Sequence, residues 1–202
     1  MSFLEGTKIK RENIKLHSKE PFIFEVTNFF TEEECDTIIK ASEEKMEKAF
    51  VGSYEKARES KIRTGYSHFL SVFENLDVFG IFKKITMFLN LPSHRFDQFF
   101  QVISYDKNQE YKDHLDPSFE KNKRLKIKHR LFTVLCYLND VEEGGETYFP
   151  KLNISVKPQR GKIIYFQNYD KEGKVNKLST HRSKPVTKGK KWAFNLWFHD
   201  KN

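Results

Sequence analysis

The chain has 202 residues and a formal net charge of +8; 38% of its residues are hydrophobic and 32% are charged. This length allows one domain with a sizeable core, and the apolar content excludes a chain that is disordered throughout. We therefore expect a single domain over residues 1–202, with many aromatic side chains in its core because the sequence contains 20 Phe and 8 Tyr.

The start of the chain, residues 1–20, is a basic lead segment without an apolar run of signal-peptide length. No later segment approaches the roughly 20 apolar residues that a membrane-spanning helix needs. We therefore predict a cytoplasmic protein with no membrane partner. The apolar neighbours of Cys35 and Cys136 agree with this prediction, since they favour buried thiols over a disulfide or a zinc site.

A strand and two supporting helices are predicted over residues 21–95. The strand is FIFEV, residues 22–26. Thr31 and Glu34 have capping-box spacing, which indicates the start of a helix within TEEECDTIIKASEEKMEKAF. The face that this helix would bury contains Cys35, Ile38, Ile39, Ser42 and Met46. A second helix is predicted over residues 76–90 from apolar residues at helical spacing.

From residue 96 onwards the pattern changes to short apolar runs separated by turns that contain glycine or proline. The runs are QFFQVISY, RLFTVLCYL, ETYFP, NISV, KIIYF and KWAFNLWFH. Short strands without a long helix between them are typical of a sandwich or barrel. We predict an α+β, mainly β fold, with a double-stranded β-helix (jelly roll) as the core over residues 96–202 and the N-terminal helices covering one sheet.

Positive charge is concentrated in KIKRENIK, KNKRLKIKHR and KGKK. Such clusters can bind acidic partners or nucleic acid, but basic solvated loops are common, so charge alone assigns no partner. The interval 117–129 is the longest predicted loop. Both a functional loop and a solvated insertion are consistent with its composition.

His114 and Asp116 are two positions apart, so on a strand their side chains would point to one face. His181 lies on another predicted strand, which a jelly roll can bring alongside. Two imidazoles and one carboxylate that occupy one face of an octahedron leave open positions, as in non-heme Fe(II) sites. A surface pair and a strand-end histidine remain alternatives, because the chain contains 7 His.

Lys191 follows His181 by ten positions, a spacing that a hairpin could close. Strand alternation separates KWAFNLWF into two faces. One face has Lys191, Ala193, Asn195 and Trp197, and the other has Trp192, Phe194, Leu196 and Phe198. The first face has the character of a pocket with a cation and the second that of core, whereas Lys190 would point away from the pocket.

The order of these motifs resembles the Fe(II)- and 2-oxoglutarate-dependent prolyl 4-hydroxylases over about residues 20–199. The resemblance rests on FFTEEECDTII, RTG, QVISYDKNQEYKDHLD, TVLCYLNDVEEGGETYFP, VKPQRGKIIYF and THRSKPVTKGKKWAFNLWFH. It implies a dioxygenase that hydroxylates peptidyl proline while converting 2-oxoglutarate and O2 into succinate and CO2, with ascorbate as a stimulant.

The resemblance also implies roles for individual residues. The implied Fe(II) ligands are His114, Asp116 and His181. The residues implied to hold 2-oxoglutarate are Lys191, which pairs with its distal carboxylate, Tyr105 and Thr133. The implied substrate-side residues are Tyr111, Trp197 and Arg63, for which core aromatics and a surface charge remain the alternative. No catalytic residue beyond the metal ligands is implied.

Two positions depart from the family pattern in ways that bear on substrate rather than on the metal. Asn108 occupies a position where glycine is common, and asparagine also tolerates a positive φ. Gly65 ends the motif RTG, where the family more usually has Arg-Thr-Ser.

Two other functions remain open at this stage. The same cofactor chemistry could act on a lysyl residue, a free amino acid or a methylated nucleobase, although related lysyl hydroxylases and nucleic-acid demethylases typically have arginine at the position of Lys191. A non-catalytic jelly-roll binding module would be expected to lack metal ligands, whereas all three are present. The sequence does not determine the oligomeric state.

Overall fold

The computed structural model describes residues 10–51, 58–59, 62–117 and 129–200, so most of the basic interval 117–129 lies outside the described residues. The described residues form two α-helices, α1 (Glu32–Ser42) and α2 (Leu76–Leu89), and sixteen strands. The strands are β1 (Ile14–Lys19), β2 (Phe22–Val26), β3 (Glu47–Lys48), β4 (Phe50–Val51), β5 (Arg58–Glu59), β6 (Tyr66–Ser71), β7 (Phe99–Tyr105), β8 (Tyr111–His114), β9 (Arg130–Tyr137), β10 (Glu143–Gly144), β11 (Thr147–Phe149), β12 (Ile154–Val156), β13 (Ile163–Gln167), β14 (His181–Ser183), β15 (Val186–Lys188) and β16 (Lys191–His199).

Two antiparallel sheets form the jelly roll. The larger sheet has eight strands in the order β1-β2-β13-β9-β16-β7-β6-β3, and the smaller has four in the order β12-β11-β14-β8. Two short ladders, β10-β15 and β4-β5, accompany them. The predicted mainly β jelly roll with supporting helices is confirmed. Strands β1 and β6 were not predicted from the sequence, since their stability comes from pairing with β2 and β7 rather than from a strong pattern of their own.

The larger sheet has a different layer on each of its two faces. Its outer face packs on the helices, where Cys35 and Ile38 of α1 and Ile85 of α2 join Phe194 and Leu196 of β16 in one buried cluster. Its inner face contributes Ile103, Tyr105, Leu135 and Ala193 to a second cluster with Phe149 and Val156 of the smaller sheet. The predicted alternation along β16 is therefore confirmed.

Helix α1 begins as predicted and ends earlier. The backbone N–H of Glu34 donates to the Thr31 hydroxyl at 3.1 Å, and the Thr31 N–H donates to the Glu34 carboxylate at 2.7 Å. The helix stops at Ser42 and tightens into a 3-10 turn, after which Met46 has an extended backbone. Met46 was therefore wrongly predicted as helical; Glu47 pairs with Ser67 of β6 directly afterwards, which draws the chain into the sheet.

Helix α2 agrees with its predicted bounds to within one residue. Asn75 caps its start by accepting from the Val78 N–H at 2.9 Å, and Asn90 ends it in the left-handed region with φ 51°. Cys35 and Cys136 are buried free thiols, as predicted. Within the described ranges, neither helix has the length and apolar character to cross a membrane.

The turn between β7 and β8 uses asparagine where the family commonly has glycine. Asn108 adopts a φ of 66°, as expected for a residue that tolerates the left-handed region. Its backbone N–H donates to the carbonyl of Val186 at 2.7 Å, which ties the turn to β15. This turn carries the chain from β7 of the larger sheet to β8 of the smaller one.

Candidate active site

Three side chains from separate parts of the chain meet between the two sheets. Strands β8 and β14 pair so that His114 lies opposite His181. Asp116 follows β8, and its Oδ1 lies 3.7 Å from the Nε2 atom of each histidine. One ligand atom from each residue lies within 4.8 Å of the others, and among the described residues this is the one such cluster. The jelly roll thus assembles the predicted triad.

In both histidines Nε2 faces the cluster, and Nδ1 is hydrogen-bonded to the backbone. Nδ1 of His114 lies 2.8 Å from the carbonyl oxygen of Lys112, and Nδ1 of His181 lies 3.0 Å from that of Ser179. A carbonyl only accepts, so each Nδ1 carries the hydrogen and donates it. In the neutral form of each ring, Nε2 then presents a lone pair to the cluster, which is the tautomer that a metal requires.

The carboxylate of Asp116 is held in the same manner. Its Oδ2 accepts from the Thr133 hydroxyl at 2.5 Å and from the Trp197 indole N–H at 3.2 Å, which leaves Oδ1 facing the imidazoles. The Thr133 hydroxyl also accepts from Nδ2 of Asn168 at 3.0 Å. Thr133 was predicted to hydrogen-bond the cosubstrate; in the structure its hydroxyl donates to Asp116, the predicted carboxylate ligand of the metal.

The electrostatics of the cluster suit a divalent metal. Burial, followed by the nearby His181, lowers the pKa of His114 to about 3, so this imidazole is neutral at physiological pH. Burial alone would raise the pKa of Asp116, but His181, His114 and the Thr133 hydroxyl outweigh it and lower that pKa. An ionised carboxylate and neutral imidazoles are the protonation states that bind metal, and two imidazoles with one carboxylate fit Fe(II).

Lys191 supplies a buried cation close to this cluster. Its side chain is fully buried, and its Nζ donates to the carbonyl of Gly145 at 2.7 Å and to the Ser183 hydroxyl at 2.8 Å. Burial lowers the pKa of Lys191 to about 7, against the opposing charge of Glu146. None of the described residues pairs a carboxylate with it, and an ammonium has three hydrogens to donate. Lys191 therefore offers a binding point for the carboxylate of a ligand.

One cavity connects Lys191 with the histidines. Its lining includes the predicted residues Arg63, Tyr105, Tyr111, His114, His181 and Lys191. Burial raises the pKa of Tyr105, and the charge and hydrogen bond of Arg63 offset only part of this increase. The phenol therefore keeps its proton and can donate it to an anion. Lys190, by contrast, is half exposed and pairs with Asp106 at 3.3 Å, as strand alternation predicted.

The cavity also contains a residue that the sequence analysis missed. Thr147 is buried in its wall, with its hydroxyl 2.7 Å from that of Tyr137. Thr147 and Phe149 both lie on the inward side of β11, within the motif GGETYF. A polar residue on the buried side of a strand was the signal that could have identified it.

Two aromatic side chains flank the cluster of His114, Asp116 and His181, each with an arginine stacked on it. Tyr111 stacks on the His114 ring with centroids 3.5 Å apart, and the Arg63 guanidinium lies 5.0 Å from the Tyr111 centroid. The Arg130 guanidinium lies 3.6 Å from the Trp197 centroid and donates to the Asp116 carbonyl at 3.3 Å. The structure thus places all three predicted substrate-side residues beside the cluster, together with Arg130, which the sequence analysis did not single out.

Comparison with known proteins shows which family this chain is similar to. Residues 100–199 match the model of the 2OG-Fe(II) oxygenase superfamily. Probable prolyl 4-hydroxylase 7 of Arabidopsis thaliana is 32% identical over 203 residues, which are 90% of this chain and 64% of that protein. Probable prolyl 4-hydroxylase 8 of the same plant is 31% identical over 207 residues, which are 92% of this chain and 71% of that protein.

A solved structure extends the agreement to the fold. The crystal structure of the viral collagen prolyl hydroxylase vCPH from Paramecium Bursaria Chlorella virus-1, in its 2OG complex, superposes with a TM-score of 0.71 at 29% sequence identity. The match covers 89% of this chain and 96% of that chain. The predicted family is confirmed: this chain belongs to the prolyl 4-hydroxylases, within the Fe(II)- and 2-oxoglutarate-dependent dioxygenases.

Proposed function

We propose that this protein hydroxylates a prolyl residue of a peptide or protein, with Fe(II) as cofactor and 2-oxoglutarate and O2 as cosubstrates. The observation that carries the proposal is that the fully buried Lys191 and the two imidazoles of the His114, Asp116 and His181 cluster line one cavity. A ligand that binds at both ends needs a carboxylate at the lysine and oxygen donors at the metal. 2-Oxoglutarate has both.

The protein's own residues account for binding and orientation. His114 and His181 would hold the metal through Nε2 and Asp116 would hold it through Oδ1, since the second polar atom of each side chain is already bonded. When bound, Fe(II) supplies the oxidation chemistry that couples decarboxylation of 2-oxoglutarate to hydroxylation of a C–H bond. Thr133 and Trp197 hold Oδ2 of Asp116, so its Oδ1 would be the oxygen available to the metal.

The end of the cavity at Lys191 can bind the carboxylate of the cosubstrate away from water. Transfer of a charged group into an apolar site is costly unless it is paired and hydrogen-bonded. The ammonium of Lys191 and the phenol of Tyr105 can supply that pairing, and the apolar walls keep bulk water out. Thr147 adds a hydroxyl in the same wall.

The substrate end is aromatic and cationic. Tyr111 and Arg130 are partly exposed, so Tyr111 offers an aromatic surface on which a pyrrolidine ring can pack and Arg130 can donate to peptide carbonyls. The buried Arg63 and Trp197 stack on these two side chains and hold them in place. The names of the Arabidopsis and viral relatives given above support a peptidyl proline as the substrate. The uncharged prolyl ring also needs no ion pair from the site.

Mass spectrometry tests the proposal directly. The purified protein is incubated with Fe(II), 2-oxoglutarate, ascorbate and proline-rich peptides, with His114→Ala as the inactive control and the exposed His94→Ala as the matched histidine control. We expect one added oxygen on a proline and an equivalent amount of succinate. Succinate release that free amino acids or a methylated oligonucleotide stimulate, but no proline peptide does, would overturn the assignment.

A further inference from the structure

Two exposed phenylalanines lie beside each other on the open part of the larger sheet. Phe69 of β6 is 51% exposed and Phe99 of β7 is 47% exposed. The register places Phe69 opposite Gln101 and Ser71 opposite Phe99, so Phe69 and Phe99 occupy diagonal positions on one face of the sheet. Two half-exposed aromatic side chains on one face form an exposed apolar patch, and such patches often mark binding sites.

This face is the one that carries the active site. Side chains alternate along β7, and Phe99 and Gln101 share a face with Ile103 and Tyr105, which line the cavity. Phe100 and Val102 point the other way, into the cluster that packs on the helices. The two phenylalanines therefore continue the inner wall of the active site.

The strand register also places them at the substrate end. Along β16, Lys191 lies opposite Tyr105 and Asn195 lies opposite Gln101. Trp197, further along β16, bonds the metal ligand Asp116. The direction from Lys191 to Trp197 thus leads from the cosubstrate anchor to the metal, and the direction from Tyr105 to Phe99 on β7 is the same.

An amide pair lies between the phenylalanines and β16. Nδ2 of Asn195 donates to Oε1 of Gln101 at 3.3 Å. Gln101 is buried and holds the amide of Asn195, whereas Asn195 is only partly buried and has further donors and acceptors after this one bond, so it can bond a peptide backbone. The surface formed by these four residues is uncharged, although the chain has a net charge of +8.

We propose that Phe69, Phe99, Gln101 and Asn195 form an acceptor strip for the residues that flank the target proline in a proline-rich substrate. The inference rests on the proposed function. A polyproline II segment has no internal hydrogen bonds, so its carbonyls are free to meet the amide of Asn195 while its rings pack on the phenyl groups. The absence of charge in the strip argues for this occupant over an acidic peptide or nucleic acid.

The dimensions agree with a flanking contact rather than a contact to the target residue itself. Two strand spacings, about 10 Å, separate β16 from β6. A polyproline II segment covers this distance in about three residues at ~3.1 Å each. The strip therefore selects for peptide length, with little influence on the chemistry at the target ring.

The test compares a long proline-rich peptide with a short peptide that has the same target proline and minimal flanks. For the wild-type protein we expect a lower KM for the long peptide. In the double variant Phe69→Ala/Phe99→Ala, the KM of the long peptide is expected to rise about tenfold towards that of the short one, with kcat and the KM for 2-oxoglutarate within about twofold. Phe73→Ala is the control, because Phe73 is also an exposed phenylalanine but stacks on Phe79 of α2 and is not part of the strip.

Failure of the strip and failure of the proposed function give different results. If the wild-type protein hydroxylates no proline peptide, the proposed function is wrong and the strip fails with it. If it hydroxylates both peptides with equal KM, or if the double variant keeps the wild-type KM for the long peptide, the strip alone is wrong. The single variants Phe69→Ala and Phe99→Ala, each expected to give part of the effect, provide the same comparison if the double variant folds poorly.

Discussion

The hydroxyl of Thr133 donates to Oδ2 of Asp116 over 2.5 Å. The direction of this hydroxyl is fixed, because Oγ1 of Thr133 also accepts from Nδ2 of the fully buried Asn168 at 3.0 Å. Asn168 is itself held by a second bond from Nδ2 to the Arg130 carbonyl at 3.1 Å. This chain of bonds determines which oxygen of Asp116 is left for the metal.

Thr133→Val should therefore weaken metal binding without removing a ligand. The hydroxyl disappears while the side-chain shape is kept, and loss of an outer-shell partner typically costs about 10- to 100-fold in metal affinity. Calorimetric titration with Mn²⁺ in the absence of 2-oxoglutarate measures the effect. Thr133→Ser, which keeps the hydroxyl, should retain most of the affinity; equal affinities for the valine and serine variants would contradict this role.

His114→Ala and His181→Ala should each abolish turnover and lower Mn²⁺ affinity by more than about 100-fold, beyond the effect of an outer-shell partner. Each removes one of the three ligands. Circular dichroism should show that both variants remain folded, and His94→Ala should behave as wild type. Turnover at the wild-type rate in either ligand variant would refute the metal assignment.

Lys191→Met should raise the KM for 2-oxoglutarate by about 100-fold, since truncation of one partner of a buried charge pair costs about 2–5 kcal/mol. The free energy of unfolding in urea should stay constant or rise, because the variant removes a buried ammonium that no described carboxylate neutralises. Lys190→Met is the matched control and should change neither quantity. An unchanged KM in Lys191→Met would show that the cosubstrate is anchored elsewhere.

The affinity for 2-oxoglutarate should fall as pH rises above neutrality. Burial lowers the pKa of Lys191 from the usual 10.5 to about 7, so the ligand-free site loses the ammonium above that pH. The dissociation constant should then increase by up to about tenfold per pH unit between about pH 7 and pH 9. Calorimetry in wild type and Lys191→Met checks this, and a dissociation constant that does not depend on pH in the wild type would contradict it.

The same shift affects stability with a definite sign. Between pH of about 7 and 10.5 the unfolded chain keeps the Lys191 proton while the folded chain has lost it. The free energy of unfolding therefore rises with pH across this window as far as Lys191 is concerned. The destabilising effect of the buried ammonium is fully present below pH 7. Urea unfolding of wild type and Lys191→Met at several pH values isolates this contribution.

Gly65→Ser, which restores the residue more usual in the family, should destabilise this chain. A Cβ at Gly65 would overlap the Ser104 carbonyl oxygen and the ring of Tyr105. We expect a loss of about 1–3 kcal/mol in the free energy of unfolding and a weaker affinity for 2-oxoglutarate, since Tyr105 must move. Gly80→Ala is the control: its Cβ would meet nothing within 4 Å, and it should stabilise α2. A Gly65→Ser variant as stable as wild type would contradict the predicted overlap.

The sequence by itself determined the features that depend on near neighbours along the chain. The capping box of Thr31 and Glu34, the alternation around Lys191 and the positive φ of Asn108 involve groups a few positions apart, so their patterns are visible in the printed residues. The order of His114, Asp116, His181 and Lys191 along the chain indicated the family, and the family implied the cofactors.

Only the tertiary structure decided where distant groups find their partners. Thr133 lies 17 positions from Asp116 and 35 from Asn168, and the family resemblance implied only the cosubstrate as the partner of its hydroxyl. Likewise Met46 left its helix because β3 pairs with β6, and Phe69 gained its place beside the active site through its register with β7. Hydrogen bonds and sheet register join residues that are close in space, and local sequence patterns contain no record of those distances.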